Sequence, residues 1–114
     1  MRSVIALDRL ADRIARCWSA STASTYTIAN PAFSQCSVTA LVVQDHLGGM
    51  ILKTSVRGQW HFYNLVDGER VDLTSSQFHK PLHYEDVLTT RKDALTDTTQ
   101  KQYETMARAV ESVS

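Results

Sequence analysis

Apolar and polar positions recur along this chain with two periods, and the change of period separates a helical beginning, a β-rich middle and a helical end. From Val4 to Trp18, Leu7, Leu10, Ala11, Ile14 and Trp18 return at helical spacing, with Asp8, Arg9, Asp12, Arg13 and Arg16 between them. This predicts an amphipathic helix capped by Ser3, with a solvated charged face. Small hydroxyl residues from Ser19 to Thr25 then break the pattern and predict a loop. A short strand at Tyr26–Ile28 and a turn at Asn30-Pro31 are expected next. The run from Cys36 to Leu47 is apolar nearly all round and longer than a typical strand; Gly48-Gly49 follows at once, and His46 lies in the last turn. A helix without a polar face has to be covered on every side, so this segment is expected to be central and buried.

Three strands are predicted after it: Met50–Val56, closed by Gly58, then Trp60–Val66 and Glu69–Thr74. The last two flank Asp67-Gly68, a residue pair suited to the tight turn of a hairpin. A short helical turn is expected at Asp86–Arg91. The final helix is expected to begin near Asp97 or Thr98, burying Tyr103, Met106, Ala107, Val110 and Val113. Together these make an α+β fold, a small antiparallel sheet packed on a central helix with flanking N- and C-terminal helices.

Composition narrows the function. A chain of 114 residues with 43% hydrophobic positions supports one core, so residues 1–114 are read as a single compact domain. Twelve Lys and Arg balance twelve Asp and Glu, which argues against a nucleic-acid binder. The early apolar run Val4–Leu7 stops at Asp8, so neither a secretory segment nor a membrane span is predicted, and a cytoplasmic location is expected. Cys17 and Cys36 are too few for a disulfide framework or an all-cysteine zinc site. His79 and His83 have the spacing of a helical metal pair, but Pro81 lies between them and a third ligand is missing, so no metal is expected. Gly48-Gly49 closes a helix and is not followed by Lys-Ser/Thr, unlike a phosphate loop.

The hairpin brings chemistry together. A two-residue turn at Asp67-Gly68 sets Val66 opposite Glu69, hence Tyr63 opposite Asp72 and His61 opposite Thr74. All four of these last positions share one face, because the side-chain period of a strand is two. His61 and Asp72 become diagonal neighbours, roughly 7–8 Å apart at the backbone, a gap that side chains can close. An aspartate there fixes the imidazole tautomer and stabilises its protonated form. Cys36 is expected at the start of the central helix, where free N–H groups and the helix dipole favour a thiolate and could also receive an oxyanion. Cysteine on a helix start, then histidine and an acid on successive strands, is an order used by many cysteine hydrolases. Trp60 and Tyr63, beside His61, are candidates for a substrate wall. Asn64 points to the opposite sheet face and is discounted. Cys17, next to Trp18, is read as a core residue.

The stretch from Asn30 to Leu41, with Gln35-Cys36-Ser37-Val38-Thr39-Ala40-Leu41 at its centre, resembles the signature of the YunG-like bacterial proteins. Asp45-His46-Leu47-Gly48-Gly49, His61-Phe62-Tyr63-Asn64, Val71-Asp72-Leu73-Thr74 and Gln77-Phe78 agree with it. This resemblance runs from about Trp18 to Phe78 and brings no settled activity with it. More distantly, the cysteine helix and His/Asp hairpin are similar to the core of papain-like and transglutaminase-like folds, including NlpC/P60 amidases. That similarity implies Cys36 as nucleophile, His61 as base and Asp72 as its orienter. In papain-like enzymes a glutamine shortly before the nucleophile helps to bind the oxyanion. Here Asn30 holds that position, and Gln35 adjoins Cys36, so both are oxyanion candidates.

The leading expectation is therefore a small cysteine-dependent hydrolase or acyl-transfer enzyme acting on an amide or peptide-like bond, with no cofactor. The alternative is a non-catalytic module that binds a protein or peptide on the same fold and keeps Cys36, His61 and Asp72 for packing. In both, the expected partner is a peptide or protein, not nucleic acid or membrane. A small-molecule sensor is a third class that no residue singles out.

Overall fold

The helix over Cys36–Leu47 (α2) buries nine of its twelve residues, from Cys36 through Val43 and then Leu47, and the other elements are arranged to cover it. In the computed structural model, which describes residues 4–113, α2 lies between a sheet and a pair of helices. On one side pack the N-terminal helix Val4–Cys17 (α1) and a C-terminal helix, Gln100–Ser112. Leu10, Ile14 and Cys17 meet Val38, Val42 and Val43 of α2 and Met106 and Val110 of the C-terminal helix in one apolar cluster. On the other side Ala40 and Leu41 pack on Ile51 and Phe62 of the sheet. The Ser3 cap expected before α1 lies outside the described residues.

The sheet is antiparallel, with strands β1 (Met50–Val56), β2 (Gln59–Val66), β3 (Glu69–Val71) and β4 (Val87–Thr89) in the spatial order β3-β2-β1-β4. Both hairpin turns have positive φ at their two central residues, Arg57 and Gly58 in one, Asp67 and Gly68 in the other. This is the type I′ geometry whose twist matches that of the flanking strands. Val66 pairs with Glu69 and Asn64 with Val71, the register expected from the sequence. The third strand is shorter than predicted, because the chain leaves β2 after Val71 and runs into a 3-10 turn at Ser75–Gln77.

Four expectations are corrected. Tyr26–Ile28 forms no strand; it lies in an irregular loop with Ile28 almost fully exposed. The segment after Asp86 is not helical: Val87–Thr89 joins the sheet beside β1, and only then does a short helix, α3 (Arg91–Ala94), begin behind its Thr90 cap. Glu85 anchors that strand by accepting from the Ser55 N–H at 2.7 Å while its own N–H donates to Thr54. The C-terminal helix (α4) starts two to three residues later than predicted, where Thr99 and Gln102 form a reciprocal capping box. Arg13, read as part of a solvated face, instead donates to the Val110 and Val113 carbonyls and closes the last turn of α4. No described helix is long and apolar enough to cross a membrane.

Gly49 joins α2 to β1 with φ at +79°, and a Cβ there would lie 2.1 Å from the Leu65 carbonyl oxygen. Gly49→Ala is therefore expected to destabilise the protein by about 2 kcal/mol or more, through a left-handed backbone and a backbone clash with no flexible neighbour to yield. Chemical denaturation of the two proteins side by side measures this.

Candidate functional site

β2 is the backbone of the site. Strand alternation turns Phe62 and Asn64 toward α2, where Asn64 Nδ2 donates to the Ala40 carbonyl at 2.9 Å. It turns His61 and Tyr63 to the other face. That face is covered not by a helix but by the chain returning from the 3-10 turn, with Phe78 edge-on to His61 and Tyr84 edge-on to Tyr63. His61 and Asp72 meet there at 2.7 Å, Nε2 to Oδ2, with side chains 3% and 4% exposed. The diagonal pair inferred from the hairpin register is thus present.

Asp72 is a saturated acceptor. Besides His61 it accepts from the Tyr84 hydroxyl at 2.8 Å and from both the N–H and the hydroxyl of Thr74. A carboxylate offers only lone pairs, so His61 Nε2 must carry the proton of that contact. In the neutral ring this leaves Nδ1 as a bare acceptor. It is buried and has no hydrogen-bond partner. A stranded polar atom of this kind costs roughly 1–3 kcal/mol and calls for an explanation.

Cys36 begins α2, as expected, and its thiol lies where β3 has already left β2. The sulfur accepts from the Phe62 and Ser37 backbone N–H groups. The thiolate expected from the helix terminus is not the resting form. Burial pushes the thiol up to about 12; the Phe62 N–H opposes this, while the nearby negative charges of Asp97 and Asp72 reinforce it. Desolvation, the largest influence, outweighs the helix end, and the two carboxylates add to it.

Cys36 and His61 open on one cavity of about 880 Å³, also lined by Asn30, Trp60, Gln77 and Asp97. Of the two wall candidates, Trp60 is on that wall and 47% exposed. Tyr63 is not. It is buried behind the sheet, and its hydroxyl donates to Asp86 at 2.7 Å. Of the two oxyanion candidates, Asn30 lines the cavity, with its Nδ2 donating to the Gln77 carbonyl. Gln35 does not. It is fully buried, accepts from the Thr22 hydroxyl at 2.8 Å, and pins the loop before α2. Cys17 packs among α1, α2 and α4. His79 and His83 join no metal-ligand cluster among the described residues.

Three residues of the site are given no part in it by the sequence. Tyr84 and Phe78 come from an irregular segment with no periodicity to place them. Asp97 stands shortly before the α4 cap and resembles an ordinary turn acid, yet it lines the cavity and its charge is felt by both Cys36 and His61. Its pKa is raised, chiefly by burial, against a hydrogen bond from the Ser37 side chain.

The YunG protein family model matches residues 6–114. The chain belongs to the YunG family. It is 45% identical over 92 residues to "Uncharacterized protein YunG" of Bacillus subtilis (strain 168), covering 81% of this chain and 80% of that protein. The YunG-like resemblance read from the Cys36 stretch is therefore established, and it extends to the C-terminal helix. No solved structure gives a match.

The raised thiol has a measurable consequence. A group protonated more readily in the folded state stabilises it below the unfolded value of 9.0 and loses that effect as pH climbs toward about 12. Folding stability should fall by up to about 1.4 kcal/mol per pH unit above pH 9 from this thiol alone. Cys36→Ala should flatten the slope between about pH 9 and 10, before Tyr63 and Tyr84, both raised by burial, add theirs. Urea unfolding across that range reads both slopes, and Cys17 remains in both proteins.

Proposed function

We propose that this protein is a small cysteine-dependent acyl-transfer enzyme or hydrolase acting on an amide or peptide-like bond, with Cys36 as nucleophile, His61 as general base and Asp72 as the group that orients it. The observation that carries this reading is the stranded Nδ1 of His61, a residue that lines the same cavity as Cys36. Its other ring nitrogen is committed to Asp72, so the bare nitrogen is the one available to take a proton.

The chemistry follows from the protonation states. Because the thiol is held neutral, its proton has to pass to His61 Nδ1 as the sulfur attacks the carbonyl carbon. The charge that develops on the ring is stabilised by Asp72 through Nε2. The carbonyl oxygen becomes an oxyanion next to the start of α2, where backbone N–H groups and Asn30 are the available donors. His61 then returns the proton to the leaving amine, the C–N bond breaks and a thioester remains on Cys36. Water, deprotonated by His61, attacks the thioester, releasing the carboxylic acid and restoring the thiol. No step needs a cofactor. This order of residues is also what supports a distant relation to papain-like and NlpC/P60 cores.

One observation favours the second reading, a non-catalytic peptide- or protein-binding module: the thiol is largely buried and raised to about 12. The two readings differ in what controls the sulfur. With p-nitrophenyl acetate as acyl donor and mass spectrometry as readout, the enzyme reading expects acetylation of Cys36 that depends on the imidazole. His61→Gln and Asp72→Asn should each lower the rate by about 10²-fold or more. A rate that climbs steadily with pH beyond 9 and ignores His61→Gln would assign Cys36 to packing.

A further inference from the structure

The cavity contains a carboxylate that the proposed chemistry does not use. Asp97 lines the same wall as Cys36 and His61, and its charge reaches both. Its one fixed partner is the Ser37 side chain, from the residue after the nucleophile. No cation pairs with it among the described residues, although other carboxylates of the chain do have such partners: Asp45 with Arg91, Asp86 with Arg70 and Asp93 with Lys53. A carboxylate on a cavity wall without a cation has an unmatched charge, and a positively charged ligand group would pair with it.

Elsewhere on the wall stand Arg57 and Lys80, which likewise have no carboxylate partner among the described residues. The cavity therefore has poles of both signs. The negative one shares the cavity wall with the Cys36 thiol. A ligand with one charge would leave one pole unmatched. An α-amino acid unit with a free ammonium next to its carbonyl, and a carboxylate further along, matches both.

We propose that Asp97 is a specificity-determining residue that binds a free α-ammonium group, so that the cavity takes the amino end of a short peptide. The acyl group offered to Cys36 is then that of an N-terminal residue, and Arg57 and Lys80 face the carboxylate end. This substrate class rests on the cysteine-enzyme reading for its turnover, but not for its binding.

The test separates the two. In Cys36→Ser protein, which cannot form a thioester, Trp60 on the cavity wall reports occupancy by fluorescence, and Trp60→Phe provides the background from Trp18. Alanyl-alanine should bind saturably, and N-acetyl-alanyl-alanine about tenfold more weakly or worse, the loss expected for one charge-assisted contact. Asp97→Asn should abolish this discrimination by weakening only the free dipeptide, and Asp97→Glu should restore most of it. Equal binding of the two ligands, or discrimination that persists in Asp97→Asn, overturns the proposal. Discriminating binding without turnover of the dipeptide by the unmodified protein overturns the enzyme reading and leaves the Asp97 site standing. Turnover that is indifferent to N-acetylation does the reverse.

Discussion

The architecture depends on one constraint, that α2 has no face it can show to water. An amphipathic helix needs one layer over it, whereas α2 needs layers on two sides. The sheet supplies one and the α1/α4 pair the other. Its polar contacts are correspondingly few and specific. The Ala40 carbonyl takes the Asn64 amide from the sheet side, and the Leu41 carbonyl takes Arg91, which also bonds Gln44 and Asp45 where the helix emerges. With α2 fixed on both sides, its first residue is fixed as well, and that residue is Cys36. The loop before it is tied by Gln35 to Thr22 and by Ser34 to Gln77. The thiol is thus held by a rigid element in the interior, where a burial-raised pKa is the natural result.

The second determinant is the early departure of β3. Had the strand continued to Thr74, Asp72 would sit in a regular ladder and the β2 edge near Phe62 would be covered. Instead the chain turns away after Val71, Asp72 folds back under its own Thr74, and the Phe62 N–H is left to the Cys36 sulfur. Side chains from opposite sides of β2 can then meet one cavity around its open edge, His61 from one face and Cys36 from the other. Four donors around Asp72 satisfy the lone pairs of a carboxylate that is almost wholly buried. The demand for a partner is thereby passed along, through the imidazole, to Nδ1.

What was legible in the sequence follows a physical division. Local rules governed α1, α2, the first two strands and the Asp67-Gly68 turn, each with a strong period or a turn residue of restricted φ. The register that joins His61 to Asp72 followed from the turn alone, since two central residues leave no freedom in pairing. Tertiary contacts decided the rest. Val87–Thr89 is too short for any period to show, and it becomes a strand because Glu85 ties the chain to the end of β1. Gln35 looked like an oxyanion donor because it adjoins the cysteine; in a helix start, adjacent residues point in different directions, and this one points into the core. Tyr63 shares a face with His61 as expected, but that face is roofed by Tyr84, so the tyrosine is a buried support instead of a wall. The thiol is raised chiefly by burial, and Asp97, far away in sequence, adds to this only once the fold brings it near.

The two aspartates near Cys36 show how environment divides one residue type into two roles. Asp72 is sealed and fully supplied with donors, so no lone pair remains to meet a ligand; its effect can be exerted only through the imidazole it holds. Asp97 lies on the cavity wall with one hydroxyl partner and no cation, so its unmet capacity faces the space a ligand would fill. Both charges add to the rise that burial gives the thiol. Under the proposed chemistry this favours proton transfer during attack over a standing thiolate. A resting site of that kind keeps its sulfur neutral and slow toward adventitious electrophiles. Burial holds the thiol protonated first of all, but an ammonium bound at Asp97 would offset the part that this carboxylate adds, so that occupancy of the cavity itself would ease the first step.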